Sequence, residues 1–159
     1  MAKSADTRQS TLVRKLEKLL VEGALPGELE GFTNAERRAA SEFLLAVLAW
    51  RQPGMPSIAI ESIPTESARR RMRIGIVNDD MPFLVDSVAA EIGAHGLAVA
   101  RVLHPVAGVT RSAAGELEAL GARGSGQNES IIYMEVERAD ARVRRQIEEA
   151  IHALLAQVR

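Results

Sequence analysis

"MRIGIVNDDMPFLVDSVAAEIGAHG", residues 72–96, is the stretch on which the fold turns. Met72, Ile74 and Ile76 alternate with the two-residue period of a strand. After Pro82 the period changes. Leu84, Val85, Val88, Ala89 and Ile92 recur at three- and four-residue spacing, which places them on one face of a helix. His95-Gly96 gives the stop signal, because glycine suits the left-handed residue that often ends a helix. A strand therefore runs through a turn into a helix, and two adjacent acids, Asp79 and Asp80, stand at the junction.

The elements on either side complete a plan. "LAVARVLHPV" (97–106) is strand-like, and Pro105, which cannot donate to a ladder, marks a bend or an edge position. "AAGELEALGARGSGQNE" (113–129) is polar and glycine-rich and predicts a long, mobile hairpin loop. "SIIYMEVE" (130–137) alternates again. A last helix over 140–158 aligns Val143, Ile147, Ile151, Leu154 and Val158. The order from residue 72 is strand, helix, strand, strand, helix, which is five elements of the ferredoxin-like βαββαβ plan. The missing sixth would be an edge strand antiparallel to the first. "SIAIESI" (57–63) is a short strand candidate directly upstream, joined by the polar connector "PTESARRR" (64–71). A hairpin between them puts 57–63 in the vacant edge place.

Two helices precede this unit. Leu12, Leu16 and Leu19/Leu20 share a face over residues 10–22, with Val13 beside them, and Gly23 and Pro26-Gly27 end it. Thr33 and Glu36 have the spacing of a capping box, so each side chain can satisfy a free backbone N–H at a helix start. Phe43, Leu44, Val47 and Leu48 form the stripe that follows, closed by "QPGMP" (52–56). The expected organisation is a helical hairpin over 1–54 and an α+β unit over 55–159, packed as one body. The sheet needs cover on both faces. The later helices suit the face of Ile74, Ile76, Ile132, Met134 and Val136. The N-terminal hairpin is the first choice for the face of Gly75, Val77, Ile131 and Tyr133.

Bulk properties exclude several classes. A chain of 159 residues is long enough for an independent core. A net charge of −1 argues against strong attraction to nucleic acid or acidic membrane. The short run "RRRMR" (69–73) reads as a solvated connector for the same reason. Aromatics at 3% leave little for base stacking. With no cysteine there is no disulfide framework or thiolate metal site, and the three histidines lack metal-ligand spacing. No secretory leader or spanning helix is apparent, since "FLLAVLAW" is too short. A cytoplasmic setting fits these features.

"RIGIVNDDMPFLVDSVAAEIGAHGLAVARVLHPV", with Arg111 and "ESIIYMEVER" downstream, resembles the N-terminal region of the large bacterial NAD-specific glutamate dehydrogenases. The resemblance implies an ACT-like α+β domain ahead of a distant catalytic domain. It implies NAD as cofactor of the parent enzyme and none for this chain, because no "GxGxxG" follows any strand here. The chain by itself would not oxidise glutamate. The partners implied are other domains or subunits of the parent, a homo-oligomer, and a small amino-acid effector. The alternative is a free-standing ACT-like sensor of a small amino acid.

The junction has two readings. Pro82 fits the first helical position, with Met81 as the cap residue. The carboxylates of Asp79 and Asp80, or the Asn78 amide, would then satisfy free N–H groups of the first turn. Each would contribute about 0.3–1 kcal/mol against the positive helix end. Alternatively, Asn78, Asp79, Asp80, Met81 and Phe83 line a pocket in which a zwitterion sets its carboxylate on those N–H groups and its ammonium on an aspartate. No nucleophile or histidine adjoins the acids, so no catalytic residue is assigned. Ordinary ACT domains resemble "V-x-x-x-D-x-P-G-L-L" here, and Asp80, Pro82, Leu84 and Val85 match. Phe83 stands where glycine is usual, and is expected to obstruct a ligand or fill the pocket itself. Asp86 helps to hold the turn, His104 and Pro105 form a half-buried bend, and Arg111 belongs to the same family motif.

Overall fold

In the computed structural model, residues 2–64 and 70–157 are described, with side chains from residue 6 onward. The elements in chain order are α1 (Ala2–Glu22), α2 (Asn34–Leu48), β1 (Ser57–Ser62), β2 (Arg71–Asp79), α3 (Leu84–Ala94), β3 (Val99–Leu103), β4 (Val106–Arg111), β5 (Leu117–Ala122), β6 (Gln127–Glu137) and α4 (Ala141–Gln157).

Strand β6 explains the architecture. Its residues from Ile131 to Val136 are all buried, because the sheet is covered on both faces. One face joins Met72, Ile74, Ile76, Ile132, Met134 and Val136 to Leu84, Val88 and Ile92 of α3 and Ile147, Ile151 and Leu155 of α4. The other joins Val77, Ile131 and Tyr133 to Leu16 and Leu20 of α1 and Phe43, Leu44, Val47 and Leu48 of α2. The N-terminal helices thus cover the second face, as their unpaired apolar stripes required. Burying each Ile, Leu or Val side chain contributes roughly 1.5–3 kcal/mol. Gly75 marks the closest approach of α2. A Cβ there would lie 2.8 Å from the Phe43 ring and 3.1 Å from Val47.

The sheet runs β1-β2-β6-β4-β5, with β3 also on β6. β1 pairs antiparallel with β2, Ser57 opposite Val77 and Ser62 opposite Met72. The expected substitution of residues 57–63 for the missing edge strand is what the chain adopts. β3 and β4 lie along the same edge of β6 in succession, β3 against residues 133–136 and β4 against residues 127–130. They behave as one strand bent at Pro105, which is buried at the break.

Three local expectations need correction. α1 begins at Ala2 rather than residue 10, so the helix extends a further two turns beyond its apolar stripe. The segment 113–129 is not a structureless loop. It contains β5, which pairs with β4 and buries Leu117 and Leu120 against the N-terminal helices. Two leucines three apart among glycines and polar residues carry no strand period, so the pairing was invisible locally. Arg71 and Arg73 belong to β2, not to a solvated connector, and Arg73 Nε lies 2.8 Å from Glu61 Oε1. Residues 65–69 of the connector, including Arg69, and Val158 of the last stripe lie outside the described residues. The capping box is formed as read: Thr33 Oγ1 accepts from Glu36 N at 3.1 Å, and Thr33 N donates to Glu36 Oε1 at 3.3 Å.

Candidate functional site

The end of β2 is built by ion pairing across strands. Asp79 sits opposite Glu129 in the β2–β6 register, so two carboxylates face one another at the sheet end. Like charges in that position are costly unless a cation intervenes. Arg51, buried just after α2, supplies it. Its Nη2 donates to Asp79 Oδ1 at 2.7 Å, and Nη1 lies 3.0 Å from Glu129 Oε2. Arg51 Nε donates to the Met55 carbonyl at 2.7 Å. Arg111 grips both Glu129 oxygens, at 2.9 and 3.0 Å, and donates to the Gly115 carbonyl at 2.8 Å. Glu129 is 2% exposed, Arg51 4% and Asp79 49%, so the network is buried at its centre and open only at Asp79. A bidentate, desolvated arrangement of this kind fixes geometry more firmly than surface pairs do.

This overturns the capping reading for Asp79 and Asp80. Asp79 is committed to Arg51, and Asp80 Oδ2 accepts from Arg123 Nη2 at 3.2 Å. The cap residue of α3 is Phe83, not Met81, and it offers no side-chain cap. Pro82 lies in the turn before the helix rather than at its first position. Phe83 has φ 63° and ψ 11°, the left-handed region, at a cost of about 1–2 kcal/mol for a residue with a Cβ. That conformation explains why glycine suits this position. The Phe83 ring neither fills a pocket nor blocks one, since the residue is 79% exposed. Asn78 is fully buried, with Nδ2 4.0 Å from Met81 Sδ, and Asp86 is exposed in the first turn of α3. Because Asp80 makes a surface ion pair and no cap, Asp80→Ala should cost less than about 1 kcal/mol in urea unfolding. A loss well above that would restore the cap.

His104 lies at the β3–β4 bend, half-buried, with Nε2 hydrogen-bonded to Ser130 Oγ. Burial pushes its pKa below the ordinary histidine value of 6.5; Asp80 opposes this and Arg123 assists it. The unfolded chain therefore takes up the proton first on acidification. Stability should fall as pH drops through about 6.5 and level off below the folded pKa. His104→Gln should flatten that part of the profile. Equal slopes for the two proteins in urea melts between about pH 7.5 and 5.5 would refute it.

A second ionic clamp lies further along β6. Tyr133, wholly buried between Phe32 and Phe43, donates to Glu135 Oε2 at 2.7 Å. Burial, with the Glu135 charge and hydrogen bond, drives the phenol well above the usual tyrosine range. Glu135 Oε1 accepts from Arg101 Nε at 3.1 Å. Arg101 lies 4.3 Å over the Phe32 ring and donates to the Glu28 and Glu30 carbonyls, which pins the α1–α2 loop to the sheet. Sequence reasoning missed Arg51, Arg101, Arg123, Glu129, Ser130 and Glu135. A signal existed in β6: Glu129 and Glu135 share alternation with Ile131 and Tyr133, and a carboxylate on a buried face demands a cation.

Among the described residues, no group of three or more His, Asp or Glu side chains could hold a metal. No helix there is long and apolar enough to cross a membrane. An open cleft of about 930 Å³ lies at the opposite end of the sheet, by Arg70, Arg138 and the start of α4, and no junction residue lines it.

The strand order, with its two helices on one face and its P-x-L-V turn, defines an ACT-like α+β domain. The chain belongs to the glutamate dehydrogenase ACT1 domain family, whose sequence model matches residues 18–151. An NAD-specific glutamate dehydrogenase of Pseudomonas aeruginosa is 37% identical over 91 residues, which are 54% of this chain and 6% of that protein. The chain thus corresponds to a small part of the curated relative it matches. No solved structure matches it.

Proposed function

We propose that this chain is a non-catalytic regulatory or assembly domain of an NAD-specific glutamate dehydrogenase. The parent reaction would be oxidative deamination of glutamate to 2-oxoglutarate in the cytoplasm, within a homo-oligomer. The family match over residues 18–151 carries this reading. The junction supports it: Asp79 Oδ1, one of the oxygens an ammonium group would need, is already engaged by Arg51. NAD does not fit the strand–helix turn, because Asp79 and Asp80 stand where a pyrophosphate would need backbone N–H groups and glycines. The cofactor would bind elsewhere in the parent.

The test compares the full-length enzyme with a form lacking residues 1–159. Loss of oligomeric state or of effector response, with glutamate turnover retained, is the expected result. Unchanged assembly and response would refute the role. Melting the 159-residue chain with millimolar amino acids tests the effector separately, since a ligand that binds the folded state raises Tm.

A further inference from the structure

Phe83 is unusual twice over. It is the one positive-φ residue other than glycine among the described residues, and it is 79% exposed. The Phe83 carbonyl accepts from Ser87 N at 3.1 Å as α3 begins, but its ring stacks on no aromatic or cationic side chain among the described residues, and strain of this kind gathers at functional turns. Trp50 and Met55, 54% and 46% exposed, stand at the same end of the sheet, where Arg51 ties the Met55 carbonyl to Asp79. The surroundings of Phe83 are acidic: Asp79 is half-exposed, Asp80 adjoins the turn, and Asp86 faces solvent.

We infer that the β2–α3 turn is a docking knob whose Phe83 ring enters an apolar, basic-rimmed pocket on another domain of the parent enzyme. This rests on the reading that the chain is a domain of a larger dehydrogenase. Charge selects the partner. A second copy meeting this turn across a two-fold axis would bring the Asp79, Asp80 and Asp86 carboxylates of both copies together, three in each copy against the two arginines, Arg51 and Arg123, paired with them. A basic rim on a different domain has no such cost. Mass agrees, since the matched segment is 6% of the relative's length and most of such a polypeptide lies outside this domain.

Hydroxyl-radical footprinting of the 159-residue chain and of the full-length enzyme tests it. Phe83 should oxidise readily in the chain and be protected several-fold in the enzyme. Phe83→Gly should raise the Tm of the chain by about 2–4 °C by relieving the backbone. In the enzyme the same substitution should expose Met81 to oxidation. Opposite effects in the two contexts would not arise from a purely local role. Equal oxidation of Phe83 in chain and active enzyme would overturn the inference and leave the domain assignment standing. Dimerisation of the chain with Phe83 protected would overturn it in favour of a second copy. A reading frame with no dehydrogenase domain would overturn both proposals before footprinting began.

Discussion

Glu129→Ala is expected to lower stability by about 3–5 kcal/mol, the effect of removing one partner from a buried ion pair. Glu129 is 2% exposed and accepts from Arg111 on both oxygens while lying 3.0 Å from Arg51. Without it, Arg51, 4% exposed, keeps only the half-open Asp79 carboxylate, and Arg111, 12% exposed, is left with the Gly115 carbonyl. Their desolvation cost then stands uncompensated. The loss is a large share of the 5–15 kcal/mol typical of a domain. In urea the midpoint should fall with the slope unchanged, since the exposed surface on unfolding is the same. Glu129→Gln keeps the shape and one acceptor and should lose less. A loss under about 1 kcal/mol for the alanine variant would mean the network behaves like a surface pair.

Gly115→Ala should cost about 2–4 kcal/mol, combining a backbone overlap with a left-handed conformation. Gly115 has φ 96°, and an added Cβ would lie 2.1 Å from the Arg51 carbonyl oxygen and 3.0 Å from its carbon. The obstacle is backbone, so no rotamer relieves it. The same glycine accepts from Arg51 N at 3.1 Å and from Arg111 at 2.8 Å, so any displacement spreads into the network. Tm should fall by about 4–15 °C. Gly124→Ala is the control, with φ 89° and nothing within 4 Å of the new Cβ, and it should show the backbone cost alone. Equal losses at the two positions would eliminate the overlap. The chain's single tryptophan reports locally, because Trp50 Nε1 donates to the Ala114 carbonyl at 2.7 Å.

Legibility followed the range of the interaction. The alternation in residues 72–77 and the helical stripe after Pro82 are local, and both elements form. The edge place of β1 followed from topology, because only one position was vacant beside β2. Coverage of the Gly75–Tyr133 face followed from matching two apolar surfaces that each needed a partner. β5 was not legible, since its pairing depends on where β4 runs after the Pro105 bend. The capping assignment failed for a related reason. A carboxylate near a helix start is a good cap only if nothing stronger claims it, and Arg51, twenty-eight residues away in the chain, claims Asp79.

By itself, then, the sequence determined the ferredoxin-like order of elements, the two covered faces and the N-terminal hairpin. These rest on periodicity and turn chemistry, which neighbouring residues carry. Only the tertiary structure decided what the polar residues do. The strand register set Glu129 opposite Asp79, and the exit of α2 brought Arg51 between them. The turn geometry then left Phe83 in solvent on a strained backbone. Charges pair by three-dimensional proximity and aromatic rings are buried or exposed by it, and neither is written in local pattern.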